Sequence, residues 1–248
     1  MSKRVIVPMV KSEMSVAVRP QKRIAIIQSC YIPWKGFFDL IGRCDEYIIL
    51  DGAQYRKRHW HNRNKIKTQR GAEWLTIPVI TKSQFDQPID EVEIAEPWAE
   101  KHWRSIELNY ARAPHFKTHA ERIRDLYVRA GGLSKLTEVN ELFLRELCMQ
   151  LGMSLQIRRD SDYACEGRRS ERLLSLCVAA GATHYLSGPS AREYLDEKIF
   201  SDAGVVVEWM EYGPYRQYEQ LHGDFEHAVS ALDLVFHLGE ASRSFISP

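Results

Sequence analysis

The sequence predicts an α/β protein with a mostly parallel sheet, and the first fifty residues carry most of that prediction. Residues 23–28 form an apolar, β-branched run that is typical of a buried strand. A short helix over residues 34–43, with Pro33 before it, and a second apolar strand over residues 46–50 follow. Strand, helix and strand in this order form a βαβ unit, which requires parallel pairing and a right-handed crossover.

The middle of the chain predicts a helical insertion. Apolar residues recur at helical spacing over residues 99–110, 116–129 and 133–151, and the last of these helices ends at Gly152, which suits a position just beyond a helix end. Residues 73–80, before the insertion, predict a strand at a sheet edge because Pro78 cannot donate a backbone hydrogen bond.

Alternation of strands and helices returns after the insertion. We predict strands over residues 155–158, 184–186 and 205–209, and helices over residues 170–180, 190–197 and 225–238. The fold class is therefore α/β, with a Rossmann-like, mostly parallel sheet and a helical insertion over about residues 98–152 between two β/α blocks. The predicted organisation is a flexible leader (1–22), a single α/β domain (23–240) and a C-terminal tail (241–248).

Composition excludes several classes of protein. The 248 residues are 44% hydrophobic and 27% charged, which is ordinary for a globular domain, and 34 Lys and Arg balance 33 Asp and Glu. This balance argues against a bulk nucleic-acid or membrane binder. No apolar run approaches the ~20 residues that a membrane span requires. The five cysteines are scattered without a C-x-x-C pair, so we expect reduced thiols in a cytoplasmic protein.

Positive charge is concentrated in the segment from Arg56 to Arg70. It holds seven basic residues and no acidic one, interleaved with His59, Trp60 and amide side chains. The segment follows a predicted strand, and open α/β sheets bind ligands beyond the carboxyl ends of their strands. Guanidinium, ammonium and amide groups together suit phosphate and sugar oxygens. The alternative is a solvated charged face.

A second candidate segment joins a predicted strand to a predicted helix. Ser187, Gly188 and Ser190 lie at this junction, where the free N–H groups of a helix N-terminus favour anions. The alternative for Ser190 is a purely structural one, because Glu193 follows at the spacing of a capping box.

Three residues are candidates for acid–base chemistry. His102 shares a predicted helix face with Asn109, away from the apolar face, and an imidazole titrates near neutral pH. His59 is the second candidate base, and Asp51 is a candidate orienting acid. A satisfied surface histidine is the alternative for His102. No metal site is predicted, because His115 and His119 lack a third ligand.

Several ordered motifs support a more specific interpretation: Gln28-Ser-Cys-Tyr-Ile-Pro-Trp-Lys-Gly-Phe-Phe-Asp39, Asn62-Arg-Asn-Lys-Ile-Lys67, Trp74-Leu-Thr-Ile-Pro-Val79, Lys101-His-Trp103, Tyr185-Leu-Ser-Gly-Pro-Ser190 and Tyr194-Leu-Asp196. Together they resemble the WbqC-like family over residues 24–239. The resemblance implies a transferase of surface-polysaccharide (O-antigen type) synthesis that acts on amino-sugar intermediates. It does not identify a catalytic residue.

The leading hypothesis is an amide-forming transferase that moves an acyl or aminoacyl group onto the amine of a nucleotide-linked amino sugar. We expect the basic segment to hold the diphosphate and the sugar hydroxyls, an aromatic side chain to stack on the base or sugar, and the first loop to add further contacts. Arg63, Lys65 and Lys67 are expected at the diphosphate, and Asn62 and Asn64 at the sugar hydroxyls. The stacking side chain is Trp60 or Tyr31, and the contacts of the first loop come from Gln28 and Trp34.

Donor and partners stay open at this point. No permanently bound cofactor is expected, and the acyl donor is a carrier-protein thioester, a coenzyme A thioester or an ATP-activated amino acid. The expected partners are the nucleotide-linked amino sugar, an acyl carrier protein and a second copy of the chain. One rival function is a non-catalytic sugar-nucleotide-binding protein. The other is a nucleic-acid-binding module that uses the segment from Arg56 to Arg70.

Overall fold

A computed structural model describes residues 20–81 and 86–247, and its strands form two sheets. In chain order the strands are β1 (Arg23–Ile27), β2 (Glu46–Ile49), β3 (Arg63–Thr68), β4 (Gly71–Thr76), β5 (Gln156–Arg159), β6 (His184–Ser187) and β7 (Val206–Trp209). Five of them form a parallel sheet in the order β5-β2-β1-β6-β7, and β3 and β4 form an antiparallel hairpin.

The order of the parallel strands confirms the predicted Rossmann-like α/β fold. If the five parallel strands alone are numbered along the chain, their spatial order is 3-2-1-4-5, which is the order of a doubly wound sheet. The strand order reverses between β1 and β6. Such a reversal opens a crevice beyond the carboxyl ends of the strands, where these folds bind ligands.

Helices cover both faces of the sheet. They are α1 (Lys35–Gly42), α2 (Ala99–Tyr110), α3 (Phe116–Ala130), α4 (Leu136–Gln150), α5 (Ser170–Ala179), α6 (Glu197–Asp202) and α7 (Ala231–Leu238). Along β1 the side chains alternate: Ala25 belongs to the core under α1 to α4 and α7, and Ile24 and Ile26 to the core under α5 and α6. The insertion is helical as predicted, and the bounds of α2 match the prediction.

Three predicted elements differ from the structure in type or extent. The predicted helix over 190–197 is a 3-10 turn (Pro189–Glu193) followed by α6, and the predicted helix over 225–238 begins at Ala231, where the hydroxyl of Ser230 caps it. The predicted strand over 73–80 is shorter and pairs with β3 rather than with the parallel sheet. We predicted no strand at β3, where cations occupy alternate positions. Arg63 and Lys65 face outward, whereas Lys67 is buried.

The described part of the predicted C-terminal tail (241–248) packs on the domain. A 3-10 turn spans Gly239–Phe245, and Ser242 and Ile246 are buried. Most of the predicted leader, residues 1–19, lies outside the described residues. Among the helices of residues 20–81 and 86–247, none combines the length and the apolar character that a membrane span requires.

Candidate functional site

A cluster of buried polar side chains lies at the carboxyl ends of β1 and β2. We call it the edge cluster, and its members are Ser29, Asp51, His61, Thr137 and Asn140. Ser29 follows β1, Asp51 follows β2, and His61 precedes β3. Thr137 and Asn140 stand three residues apart, so they share one face of the first turns of α4. Four segments of the chain therefore meet at this edge.

Asp51 holds the cluster together. One carboxylate oxygen accepts from the backbone N–H of Ser29 at 2.8 Å, and the other accepts from Thr137 Oγ1 at 2.5 Å. Burial raises the pKa of Asp51, and the bonds from Ser29 and Thr137 oppose that shift. Within residues 20–81 and 86–247 no histidine bonds this carboxylate, so the expected pairing of Asp51 with a catalytic base is wrong. Asp51 positions Ser29 and α4 instead.

His61 is buried, and only one of its ring nitrogens has a partner. The residue is 1% exposed, and Nδ1 lies 3.1 Å from the carbonyl oxygen of Ser29. Because a carbonyl only accepts, Nδ1 carries the hydrogen and Nε2 keeps a lone pair. Nε2 is buried without a hydrogen-bond partner among the described residues. Burial lowers the pKa of His61 to about 4, so the ring is neutral at physiological pH.

Asn140 completes the cluster with a second free acceptor. It is 0% exposed, and Nδ2 donates to Ser29 Oγ and to the carbonyl oxygen of His61, each at 2.9 Å. The carbonyl needs a donor, and this requirement fixes the orientation of the amide. Its Oδ1 is buried and has no partner in the part of the chain that the structure describes.

An exposed aromatic and cationic surface lies next to the edge cluster. We call it the hairpin face, and it consists of Trp60, Arg63, Lys65 and Trp74. The indoles are 40% and 41% exposed, with ring centroids 5.1 Å apart. The guanidinium carbon of Arg63 lies 4.1 Å and Nζ of Lys65 lies 5.2 Å from the Trp74 ring centroid. These contacts have cation–π geometry, which keeps both cations on the outer face of the hairpin.

His59 lies between these two features. It is exposed, and its ring centroid is 4.6 Å from that of His61. Partial burial, with smaller contributions from Arg56 and Arg63, lowers the pKa of His59. The backbone N–H of Tyr31 donates to the carbonyl of Trp60 at 3.1 Å, which fastens this turn to the loop after β1. The exposed His59 therefore contacts the buried His61 at the outer side of the site.

The structure contradicts the expectation for His102. This residue is 4% exposed, with Nδ1 at 2.9 Å from the hydroxyl of Tyr31 and Nε2 at 3.2 Å from the carbonyl of Thr76. Burial lowers the pKa of His102 to about 4. Both ring nitrogens are bonded within the fold, so this imidazole has no free lone pair for a substrate. Its role is structural, and the prediction of a polar exposed face is wrong.

Three further expected contacts are also internal. Tyr31 is 0% exposed and bonds Tyr127 as well as His102, so it cannot stack on a ligand. Asn64 donates to the carbonyls of Tyr31 and Ile32. Lys67 is 3% exposed and donates to Gln220 Oε1 at 3.0 Å and to the carbonyl of Asp224. These side chains stabilise the loop after β1 and the segment over β3.

Asn62 is also buried, and its side chain bonds the backbone of Ile77, just after β4. It is 6% exposed, and its Nδ2 donates to the carbonyl of Ile77 at 2.8 Å. Arg63 and Lys65 are half-buried, and both cations lie against the Trp74 ring of the hairpin face. One terminal nitrogen of Arg63 also donates to the carbonyl of Arg58. Of the expected diphosphate contacts, these two are the ones that face outward.

The crevice between β1 and β6 brings together other predicted residues. Trp34 lies 5.4 Å from Tyr212, centroid to centroid, and a Cβ on Gly188 would lie 3.7 Å from the Tyr212 hydroxyl. Ser187 is buried at the end of β6, and Gln28, which follows β1, is half-buried. The sequence did not indicate Tyr212, which stands outside any predicted element.

Ser190 does not cap a helix. Gly188 occupies the N-cap position of the 3-10 turn, no side chain caps that turn, and Ser190 is exposed. The predicted capping box is therefore wrong.

Asn140 and Trp74 are site residues that sequence reasoning missed. Asn140 stands four residues after Leu136 and three before Phe143, on the buried stripe of α4. A polar residue on an apolar stripe is the signal that could have identified it. Trp74 was assigned to a strand, and its exposure becomes evident only when β3 and β4 pair.

Comparisons with known proteins give a consistent result. A family model described as "WbqC-like protein family" matches residues 28–245. The chain is 45% identical over 226 residues to "Uncharacterized protein Rv1507c" from Mycobacterium tuberculosis (strain ATCC 25618 / H37Rv), a match that covers 91% of this chain and 97% of that protein. No solved structure matches the chain.

Proposed function

Because the chain belongs to the WbqC-like protein family, we propose that it is a transferase of surface-polysaccharide synthesis. It moves an acyl or aminoacyl group onto the amine of a nucleotide-linked amino sugar and forms an amide. The hairpin face binds the nucleotide diphosphate, and the sugar extends toward the edge cluster. The five cysteines are all free, which supports a cytoplasmic location.

The hairpin face is the observation that carries this proposal. A nucleotide sugar has a planar base, a sugar ring with apolar faces and a diphosphate with negative charge. Trp60 and Trp74 offer exposed rings for stacking, and Arg63 and Lys65 offer cations within 5.2 Å of the Trp74 centroid. The carboxyl edge of the parallel sheet beside it is where such folds hold their ligands.

The chemistry requires a nucleophilic amine and an activated acyl donor. The nitrogen lone pair attacks the acyl carbon, the bond from that carbon to the leaving group breaks, and the leaving group departs with the electron pair. The nitrogen loses one proton, which a base takes up and passes to the leaving group. The donor is a thioester, on a carrier protein or coenzyme A, or an ATP-activated amino acid. His102 has no free ring nitrogen to act as the base, so the base belongs elsewhere in the site.

The loss of His102 as a base favours one second candidate, a sugar-nucleotide-binding protein without catalysis. Both functions use the hairpin face, and both require saturable binding. They differ in turnover: a transferase consumes the amine and releases an amide, whereas a binding protein returns the nucleotide sugar unchanged.

A binding titration tests the shared requirement. We expect nucleotide-diphosphate amino sugars to raise the melting temperature and to bind saturably by calorimetry. A charge-assisted hydrogen bond contributes ~1.5–3 kcal/mol, so Arg63→Ala should weaken binding by about 10–100-fold. Arg70→Ala is the matched control, since Arg70 pairs with Glu73 at the exposed end of the same hairpin.

Two outcomes contradict the proposal. The first is that the wild-type protein binds none of the nucleotide sugars, and the second is that Arg63→Ala binds them as tightly as Arg70→Ala does. Steeply salt-dependent binding of oligonucleotides, without binding of nucleotide sugars, would instead support a nucleic-acid-binding module.

A further inference from the structure

The edge cluster contains two buried acceptors that the fold leaves without donors. They are Nε2 of His61 and Oδ1 of Asn140, on side chains that are 1% and 0% exposed. Buried polar atoms in folded proteins are nearly always hydrogen-bonded, so each such atom requires an explanation. Both atoms occur in one cluster, at the sheet edge where ligands bind.

Ser29 joins the two side chains. His61 donates from Nδ1 to the Ser29 carbonyl, and Asn140 donates from Nδ2 to the Ser29 hydroxyl. Asn140 also donates to the carbonyl of His61. Asp51, through the Ser29 N–H and the Thr137 hydroxyl, holds this arrangement in place. The bonds of His61 Nδ1 and Asn140 Nδ2 thus fix the positions of the two side chains, and one acceptor atom on each side chain has no donor in the described part of the chain.

The chemistry of these two atoms selects the group that can bind there. A phosphate, a carboxylate or a carbonyl offers only acceptors and leaves both atoms unsatisfied. A hydroxyl offers one hydrogen, whereas an amino group offers at least two. The imidazole is neutral because burial lowers its pKa to about 4, so it does not repel a positively charged amine. Among the groups of a nucleotide-linked amino sugar, the amino group is therefore the best match.

We propose that the edge cluster is the amine subsite of the substrate. His61 Nε2 and Asn140 Oδ1 each accept an N–H of the sugar's amino group, and Ser29 holds both acceptors in place. This inference rests on the proposed function and adds the group that the subsite recognises. The exposed His59 ring packs on His61 at 4.6 Å, so the subsite lies close to the surface and to the hairpin face.

The test compares nucleotide sugars that differ only at one position, which carries an amine, a hydroxyl or an N-acetyl group. Calorimetry measures the affinity of the wild-type protein for each. An unmade hydrogen bond at a buried acceptor typically weakens binding by about tenfold or more. We therefore expect the amino sugar to bind about tenfold more tightly than the hydroxyl and N-acetyl compounds.

Two substitutions of His61 locate the effect. In His61→Asn, the amide nitrogen can replace Nδ1 on the Ser29 carbonyl, but no atom replaces Nε2, so the preference for the amine should fall to about twofold or less. In His61→Gln, the longer amide can return an acceptor to the Nε2 position and should restore part of the preference. His119→Gln is the control: it alters a histidine on α3 that bonds Gln150 and should leave the preference unchanged.

The outcomes separate this inference from the proposed function. If the wild-type protein binds amino and hydroxyl sugars equally, or if His61→Asn retains the full preference, the amine subsite is contradicted and the proposed function stands. If no nucleotide sugar binds, both are contradicted. Denaturation curves show whether each variant folds, and should His61→Asn fail to fold, an unaltered preference in a folded His61→Phe variant overturns the inference.

Discussion

Two buried histidines, His61 in the edge cluster and His102 on α2, show how the site differs from the scaffold. Both are almost fully buried, and burial lowers the pKa of each to about 4. Their hydrogen bonds differ. His102 uses both ring nitrogens, on Tyr31 and Thr76, whereas His61 uses one. Burial and pKa are therefore alike in the two histidines, and the difference lies in the ring nitrogen that His61 keeps without a partner within residues 20–81 and 86–247.

The surroundings of the two residues agree with this division. The hydroxyl that bonds His102 also bonds Tyr127, and the ring of Trp98 lies 5.0 Å from the His102 ring, so the insertion surrounds it with aromatic side chains. His61 contacts the exposed His59 and directly follows Trp60 of the hairpin face. Both imidazoles are buried, but His102 packs among buried aromatic side chains, whereas His61 contacts an exposed one.

The largest expected effect is on stability. His102→Ala leaves a cavity in the core and removes one hydrogen bond each from the Tyr31 hydroxyl, which keeps Tyr127, and from the Thr76 carbonyl. It should lower the free energy of unfolding by about 3 kcal/mol or more. His61→Asn keeps the bond to Ser29 and should cost about 1 kcal/mol or less. Urea denaturation measures both values, and equal losses would contradict the distinction between the two histidines.

Stability should also depend on pH through the same two residues. The pKa of each falls from 6.5 in the unfolded chain to about 4 in the folded protein, so the unfolded state binds more protons at acidic pH. Stability from this source is complete above about pH 6.5 and is lost as the pH falls toward 4, by up to about 3 kcal/mol for each histidine. Asp51, whose pKa burial raises, acts in the opposite direction.

Denaturation midpoints measured between pH 7.5 and 4.5 would show this loss. His102→Gln, which cannot titrate, should flatten the profile. A profile that is as steep in this variant as in the wild-type protein would show that His102 does not stay neutral in the fold.

A smaller effect concerns ligand binding at the hairpin face. Trp74→Ala removes a stacking surface and should weaken nucleotide-sugar binding by about tenfold, since stacking on an aromatic ring contributes ~1–3 kcal/mol. Trp209→Ala is the matched control, because Trp209 also has a cation beside its ring, Arg192 at 5.2 Å, but lies on β7, an edge strand of the five-stranded sheet. If both substitutions weaken nucleotide-sugar binding equally, the assignment of the binding site to the hairpin face is contradicted.

The smallest expected effects are on stability at two serines, one whose hydroxyl caps a helix and one whose hydroxyl does not. Ser230 accepts the N–H of Leu232 and caps α7, so Ser230→Ala should lower the free energy of unfolding by about 1 kcal/mol. Ser190 is exposed and caps nothing, so Ser190→Ala should change it by less than about 0.5 kcal/mol. Thermal denaturation compares them, and the reverse order would contradict these assignments.

The sequence predicts much of the fold because local patterns determine it. The apolar runs of β1 and β2 and the periodicity of α2 were sufficient to locate these elements. The error at His102 came from pairing it with Asn109. Position 102 also lies three residues after Ala99 and four before Ile106, on the stripe that α2 buries. The ring nitrogens of His102 bond Tyr31 and Thr76, which are distant in sequence, so helical spacing alone could not reveal this role.

The candidate site was harder to predict because its residues come from separate segments. Ser29, His61 and Asn140 meet through bonds between positions 32, 79 and 111 residues apart in the chain. The basic segment was identified correctly as a cluster of charge. Its division into inward residues such as Lys67 and outward residues such as Arg63 depends on the pairing of β3 with β4, which the sequence did not indicate.

Nuclear magnetic resonance of the ring nitrogens tests the central distinction most directly. The protein is labelled with ¹⁵N at histidine and titrated with a nucleotide-linked amino sugar. We expect the Nε2 resonance of His61 to shift as it gains a hydrogen bond, with Nδ1 protonated throughout, and both resonances of His102 to stay in place. A His61 Nε2 resonance that does not move at saturation, or a His102 resonance that moves as far, would contradict the account.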